Sequence, residues 1–346
     1  MKRRVKLPLR KSKKLFSRTA SKTHKKNMPR RTAMRGGIRM LPMPCFSPLT
    51  GFFGRDVNIS GKRSMVFDPR LSLTGEPIQL PCGQCVGCRL ERSRQWAMRC
   101  VHEAKLHRDN CFVTLTYDDD HLPLTGQGFP TLVKRDLQLF MKRLRFFRGS
   151  GIRFYSCGEY GERTLRPHYH LILFNCDFKD RVTYRASSSI NRFPVYSSQE
   201  LQDIWSDKSG LPIGRAIVGD MSFDSAAYVA RYVLKKVTGD DSVDHYYGRL
   251  PEFTNMSRRP GLGTGWYERY GAETFSNDSV IIKGRPVRPP RFYDNLVELT
   301  NSDELKYIKR RRKRRALLAR SPDEGTFNRA RAREVIALAR LNRGSL

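Results

Sequence analysis

Apolar and polar positions along the middle of the chain follow two periods, which predict strands alternating with helices. The segment CFVTLTY, 111–117, is rich in β-branched and aromatic residues, with polar side chains at Thr114 and Thr116, as in a strand. Two more predicted strands, GIRFYSCGEY and RPHYHLILF, are separated by a charged turn. Before these two, apolar residues four and three positions apart indicate one face of a helix: Val133, Leu137, Phe140, Leu144 and Phe147.

Helical spacing also occurs on both sides of these elements. LERSRQWAMRCVHEAKLHR precedes the first strand, and SFDSAAYVARYVLKKV, in which Ser222 or Asp224 could cap the helix, follows the last one. The order strand, helix, strand, strand, helix predicts an α+β fold, in which a central antiparallel sheet carries helices on one side. Near the C-terminus, two basic helices are predicted on either side of a break at Ser321 and Pro322.

Charge is distributed unevenly along the 346 residues. Lys and Arg number 66 against 33 Asp and Glu, which gives a formal net charge of +33. Residues 1–40 hold 16 of the basic residues and no acidic one, and residues 301–346 contribute a net +9. Such tails attract polyanions, of which nucleic acid is the commonest. We therefore expect a disordered basic arm at 1–40 and a basic helical tail at 301–346.

The body between the tails divides into three predicted parts. They are an N-terminal extension at 41–110 with a cysteine cluster and a helix, a core at 111–237, and an Arg/Gly/Pro-rich segment at 238–300. Every apolar run is shorter than the roughly 20 residues that span a bilayer, and the basic start lacks the apolar stretch of a signal peptide. We therefore expect no membrane partner and a cytoplasmic location.

His168 and His170 are one residue apart in a predicted strand, so their side chains point to the same face. If the turn before this strand is symmetric about positions 163 and 164, Glu159 lies opposite His168. Two imidazoles and a carboxylate suit Mg²⁺ or Mn²⁺, and they could also bind Zn²⁺. Glu162 would replace Glu159 if the hairpin register slips. The alternative is that both histidines merely decorate a strand.

Tyr228 and Tyr232 are four positions apart in YVARYVLKKV, so a helix places them on one face. A phenol can attack phosphorus and retain the bond energy as a phosphotyrosine ester. Because the pKa of a phenol is about 10, attack requires a metal that polarises the phosphate or a lysine that favours the phenolate. Lys235 and Lys236 lie three and four positions beyond Tyr232. The alternative is a pair of packed core tyrosines.

These segments resemble a known family. FVTLTY, RPHYHLILF and YVARYVLKK are similar, in this order, to the three motifs of the HUH replication initiators. The chain more closely resembles the rolling-circle replication initiators of small single-stranded DNA microviruses, especially those of the gokushovirus branch. PCGQCVGCRLERSRQWAMRC, FTNMSRRPGLGTGWYERYG and RPVRPPRFYD are also similar to segments of these proteins, so that the likeness extends over about residues 43–300.

The resemblance implies a two-tyrosine HUH endonuclease core at 111–237. One tyrosine would nick the viral strand at the origin of the duplex replicative form, keep the 5′ end covalently and release a 3′ hydroxyl as primer. After one round the second tyrosine would cleave, and rejoining would give a unit-length circle. The residues implied are His168, His170 and Glu159 for the metal, and Tyr228, Tyr232 and Lys235 for catalysis.

The resemblance also implies partners. The DNA would be viral, both as the single-stranded origin and as the duplex replicative form, in the cytoplasm of a bacterial host. No G-x-x-x-x-G-K-[ST] sequence occurs, so we assign unwinding to a host helicase and copying to a host polymerase. Residues 1–40 resemble short arginine-rich polypeptides of the same phages, and we expect a natural fusion or a misplaced start near Met40. The residues expected to contact nucleic acid are Arg166, Lys236, Arg258 and Arg259.

A cysteine cluster leaves a second class of function open. Four thiolates could hold a structural Zn²⁺ or an iron–sulfur cluster, although the spacing matches no standard zinc finger, and Cys100 could simply be a buried thiol. With such a metal site the protein could be a non-catalytic nucleic-acid-binding protein. A plasmid initiator or relaxase of the HUH class is a third hypothesis. The cysteines concerned are Cys82, Cys85, Cys88 and Cys100.

Overall fold

The computed structural model describes residues 53–57, 63–66, 72–77, 83, 85–185, 194–231, 236–237, 241–318 and 327–343. All of them belong to one compact unit, Met43–Leu346. The predicted arm at 1–40 lies outside the described residues, and so do Cys82, Tyr232 and Lys235. The structure therefore bears on the sheet, on one of the two tyrosines and on most of the predicted ligands.

The described part of the chain forms the following elements. The strands are β1 (Phe53–Val57), β2 (Arg63–Val66), β3 (Ser72–Pro77), β4 (Asn110–Thr116), β5 (Arg153–Tyr160), β6 (Pro167–Phe174), β7 (Val182–Arg185), β8 (Val195–Ser197), β9 (Ala216–Asp220), β10 (Phe253–Met256), β11 (Val280–Ile282) and β12 (Arg285–Val287). The helices are α1 (Val86–Ala104), α2 (Lys134–Arg148), α3 (Gln199–Ile204), α4 (Phe223–Arg231), α5 (Asp241–Tyr246), α6 (Thr264–Asn277), α7 (Arg291–Thr300), α8 (Ser302–Leu318) and α9 (Phe327–Arg343).

A seven-stranded sheet is the centre of the fold. Its strand order is β10-β5-β6-β4-β9-β8-β7, and every neighbouring pair is antiparallel. The three strands predicted from the motifs, β4, β5 and β6, are adjacent in its middle. Two smaller antiparallel sheets have the orders β2-β1-β3 and β11-β12. The predicted α+β class with a central antiparallel sheet is confirmed.

Helices cover both faces of this sheet, so the prediction of helices on one side only is wrong. One face packs against α2 and α3 in a cluster that includes Val113, Leu115, Leu137, Phe140, Leu171 and Leu201. The opposite face packs against α1 and α4 in a second cluster that includes Ala97, Cys157, Ile172, Phe174, Ala226 and Val229. The reason lies in β6, which is buried at every position from Tyr169 to Phe174 and therefore needs cover on both faces.

A further layer of helices packs on the outer side of α1. Met98 of α1 joins residues of α6, α7 and α8 in a third apolar cluster, whose fully buried members include Tyr293, Leu305 and Ile308. The two basic helices predicted near the C-terminus are present as α8 and α9. The predicted apolar face of α2 is correct at its centre, whereas Phe147 in its last turn is 64% exposed.

Candidate active site

The hairpin of β5 and β6 places Glu159 directly opposite His168, as the symmetry of the turn predicts. His170 lies opposite Cys157, two positions further along both strands. Because side chains alternate between faces, Glu159, His168 and His170 all lie on the face that α1 and α4 cover. Glu162 is in the connecting turn and does not belong to this group. The structure therefore favours Glu159 over Glu162 as the carboxylate.

Glu159 bridges the two histidines at short distance. Its Oε1 lies 2.6 Å from Nε2 of His168 and 3.1 Å from Nε2 of His170. The carboxylate is 2% exposed, which by itself raises its pKa, but the hydrogen bonds and charges of both imidazoles lower the pKa to about 2. Glu159 therefore carries a negative charge at neutral pH inside the protein.

The outer ring nitrogens of both histidines are held by the protein. Nδ1 of His168 lies 3.2 Å from the carbonyl oxygen of Arg166, and Nδ1 of His170 lies 2.8 Å from Oγ1 of Thr114. A carbonyl oxygen can only accept, so His168 carries its proton on Nδ1 and directs the lone pair of Nε2 towards Glu159. Ligating histidines in metalloproteins are usually oriented by this kind of outer contact.

The donor set fits a divalent cation. One ligand atom from each of Glu159, His168 and His170 lies within 4.8 Å of the other two. Two imidazole nitrogens and one carboxylate oxygen are accepted by several divalent metals, and they leave positions for a phosphate oxygen and water. Within the described part of the chain, this is the group of His, Cys, Asp and Glu side chains with such spacing.

Helix α4 brings Tyr228 to the same place. Ser222 caps this helix, since its Oγ accepts a hydrogen bond from the backbone N–H of Ser225 at 3.1 Å. The helix then packs on the sheet through Ala226 and Val229. The ring of Tyr228 meets the ring of His170 edge-on at 5.3 Å between centroids, and 42% of the tyrosine is exposed. A partly exposed phenol therefore stands beside a candidate metal ligand.

Two residues of the first motif complete this arrangement, although sequence reasoning did not assign them a role. Phe112 stacks on the ring of His170 at 5.4 Å and meets Tyr228 edge-on at 6.3 Å. Thr114 lies directly opposite His170 in the pairing of β4 with β6. The polar alternation of FVTLTY placed Thr114 on one face of a strand, but it did not identify the strand that would lie next to it.

The residues expected to contact nucleic acid are spread over the surface. Arg166 lies beside the cluster, where its guanidinium pairs with Asp119 and donates to the carbonyl oxygen of Tyr117 at 3.0 Å. Lys236 is exposed, and its carbonyl oxygen accepts a hydrogen bond from Arg89.

Arg258 and Arg259 are exposed and lie at the far end of β5 from the cluster. Ser257, just before them, bonds to the backbone of Phe154. Phe154 is five residues from Glu159, or about 17 Å along a strand. The structure thus separates these two arginines from the candidate metal ligands.

The four cysteines do not form one metal site. Cys88 and Cys100 are both in α1, and a helix separates residues twelve positions apart by about 18 Å. Cys85 is disulfide-bonded, and Cys82 lies outside the described residues. Cys100 is fully buried among apolar side chains, where burial raises the pKa of its thiol. The geometry supports the alternative of a buried structural thiol at Cys100 and corrects the expectation of a four-cysteine zinc site.

No helix among the described residues is long and apolar enough to cross a membrane. Cys100, Cys111 and Cys176 are buried free thiols.

Comparison with known proteins identifies the family. The family model for the ORF2 type of replication-associated protein matches residues 110–237, which span β4 to the segment that contains both tyrosines. The replication-associated protein VP4 of Bdellovibrio phage phiMH2K is 32% identical over 264 residues, 73% of this chain and 76% of that protein. The replication-associated protein ORF2 of Spiroplasma virus 4 is 34% identical over 249 residues, 68% of this chain and 73% of that protein.

A third relative, the replication-associated protein ORF4 of Chlamydia phage 1, is 29% identical over 235 residues, 66% of this chain and 56% of that protein. No solved structure matches the chain. The antiparallel α+β core and these matches define a rolling-circle replication initiator. The chain belongs to the family of replication-associated proteins of small single-stranded DNA phages.

Proposed function

We propose that the protein is a metal-dependent, site-specific endonuclease and strand-joining enzyme that nicks the viral strand at the origin of the duplex replicative form. The observation that carries this proposal is the position of Tyr228 beside His170, 5.3 Å from ring to ring, on the face that holds Glu159 and His168. A nucleophile, three metal ligands and a partly open surface thus converge at one place.

A divalent cation, Mg²⁺ or Mn²⁺, held by Glu159, His168 and His170 would polarise the scissile phosphate and offset its charge. The phenol oxygen of Tyr228 attacks the phosphorus, and the bond between phosphorus and the 3′ oxygen breaks. The phenol loses its proton, and the departing 3′ oxygen gains one from solvent. The products are a 5′-phosphotyrosine ester and a free 3′ hydroxyl, which serves as a primer.

The ester retains the energy of the phosphodiester bond, so the reaction can be reversed on a new 3′ hydroxyl. Tyr232, one helical turn beyond Tyr228 in the sequence, is proposed as the second nucleophile, with Lys235 favouring its phenolate. After one round of synthesis, the second tyrosine cleaves the regenerated origin. The released 3′ hydroxyl then attacks the first ester, which closes a unit-length single-stranded circle.

The proposed partners follow from the same reaction. The DNA is the viral origin, as single strand and as duplex replicative form, and a host helicase and polymerase unwind and copy it in the bacterial cytoplasm. We assign Arg166 and Lys236 to DNA near the cleaved bond. Arg258 and Arg259, about 17 Å or more along β5, would contact the flanking DNA. No role in metal binding is proposed for the cysteines.

Incubation of supercoiled replicative-form DNA with the protein and Mn²⁺ tests this proposal. The expected product is an open circle whose nick lies in the viral strand and whose 3′ end a polymerase can extend. EDTA and the substitution His170→Ala should each abolish nicking, whereas binding to the same DNA should persist. Nicking that survives both treatments, or DNA binding without nicking on any viral sequence, would overturn the proposal.

A further inference from the structure

The two sides of α8 have opposite character. Leu305 and Ile308 are 2% and 1% exposed and pack in the third apolar cluster, and Arg312, four positions beyond Ile308, lies on the same side. The other sides of the helix carry a row of exposed cations, which are Lys306, Lys309, Arg310, Lys313, Arg314 and Arg315.

Arg312 fastens α8 to the protein and is not part of the outer row. Its guanidinium donates to Asp278 at 2.6 Å and to Asp294 at 2.7 Å. Burial lowers the pKa of Arg312, but the hydrogen bonds to both carboxylates raise it overall. With Asp294 5% exposed, this bidentate pairing holds the helix in a defined orientation. The outer cations are therefore presented on a rigid support.

The outer row does not stabilise the helix by itself. Lys306, Arg310 and Arg314 follow one another at intervals of four, a spacing at which like charges repel. Lys306 has Asp303 at 2.7 Å as a partner. In the part of the chain that the structure describes, no carboxylate lies within ion-pair distance of Arg310 or Arg314. A polyanion laid along this surface would relieve the repulsion.

We propose that the outer face of α8 binds the phosphate backbone of duplex DNA. Duplex DNA has one charge per about 1.7 Å of axis and releases condensed counterions when cations neutralise its phosphates. Surfaces for single strands combine cations with several aromatic side chains on which bases stack. The outer face of α8 has one exposed aromatic ring among the described residues, Tyr307, and Arg311 lies over it.

This surface is separate from the candidate active site. α1 lies between them, since Met98 packs against α8 and its neighbours, whereas Ala97 and Cys100 pack towards the sheet. Binding at α8 therefore does not depend on cleavage. It would hold the duplex beside the origin while one strand is nicked and displaced.

The test is the salt dependence of binding of the full chain to a short duplex that lacks the origin, measured by fluorescence anisotropy in EDTA. Arg310→Gln together with Arg314→Gln should reduce the slope of log K against log salt by about 1.8, at about 0.9 per lost phosphate contact. The matched control is Arg135→Gln with Lys142→Gln, which removes two exposed cations from α2 on the opposite face of the sheet. This control should leave the slope unchanged. Equal reductions in both variants, or none in the α8 variant, would overturn the proposal.

Two further arms define the ligand and the role of Arg312. Arg312→Gln should lower the thermal midpoint yet leave the slope of the folded protein unchanged, whereas a reduced slope would contradict its assignment as an anchor. On a single strand of the same length, the α8 variant should bind nearly as well as the wild type. An equal loss on both DNAs would show that the surface does not distinguish duplex from single strand, against the proposal. Because EDTA is present throughout, none of these outcomes depends on nicking.

Discussion

The ring of Tyr228 meets the ring of His170 edge-on, at 5.3 Å between their centroids. One residue comes from a helix and the other from the middle of the sheet. Their contact exists because Ala226 and Val229 of α4 pack on the face of β6 that carries both histidines. An attacking phenol and a metal-bound phosphate would need to meet at this distance scale, so the contact has direct consequences for experiment.

Thr114 is expected to position His170 for metal binding, because its Oγ1 lies 2.8 Å from Nδ1 of the imidazole. Thr114→Val keeps the shape of the side chain but removes this bond. The affinity for Mn²⁺, measured by calorimetry, should fall about 10- to 100-fold, as for other outer contacts of metal ligands. Thr116→Val is the control, since Oγ1 of Thr116 bonds to the carbonyl oxygen of Arg215 and to neither histidine. Equal losses in both variants would contradict the assignment.

Gly214 permits the close approach of a loop to the end of β4. A Cβ at this position would lie 2.1 Å from the carbonyl oxygen of Thr116 and 2.6 Å from Cα of Tyr117. Gly214→Ala should therefore cost at least about 1–3 kcal/mol in the free energy of unfolding, which urea titration measures. Gly126→Ala, where a Cβ would meet no atom within 4 Å, should change stability by less than about 0.5 kcal/mol. A neutral Gly214→Ala would show that this loop packs differently.

His102 predicts a pH dependence of stability. It is 1% exposed, stacks on Trp266 and lies 2.7 Å from the hydroxyl of Tyr293, and burial lowers its pKa to about 3. An unfolded histidine has a pKa of about 6.5, so between these values the unfolded state binds more protons. Stability should be complete above about pH 6.5 and should fall as pH decreases towards 3, by up to about 1.4 kcal/mol per pH unit.

Denaturant titrations at several pH values, with and without His102→Asn, measure this contribution. The variant should be less stable at neutral pH but should show a shallower pH slope between 6.5 and 4.5, because asparagine does not titrate. Parallel slopes for the two proteins would mean that His102 is not buried as a neutral group.

The candidate site was partly predictable from local sequence. The pairing of Glu159 with His168 follows from the symmetry of a short turn, because antiparallel partners in a hairpin have a constant sum of positions. The position of Tyr228 relative to His170 does not follow from such local rules. It depends on how α4 packs on the sheet, and one apolar stripe on a helix does not specify which face of a sheet it will cover.

Long-range pairing explains the other differences between prediction and structure. The apolar faces of α1, α2 and α4 indicated burial, but not that α2 would take the face opposite the other two. The edge strand β10 carries Arg258 and Arg259 away from the cluster, and its four residues give no pattern that identifies β5 as its neighbour. For the cysteines, the helical spacing of Cys100 was the informative signal, and proximity to Cys88 in sequence was not.

The central claim is that Tyr228 attacks DNA beside the cluster of Glu159, His168 and His170. The most direct measurement is a denaturing gel of the protein with labelled single-stranded origin DNA and Mn²⁺, followed by mass spectrometry of the linked peptide. Tyr232→Phe should still form an adduct, with the nucleotide on Tyr228, and Tyr228→Phe with Tyr232→Phe should form none. Tyr307→Phe, a change on the distant α8, should behave as the wild type. An adduct that forms without Tyr228 and Tyr232, or a failure of Tyr232→Phe to form any on DNA that the wild type cleaves, would contradict the account.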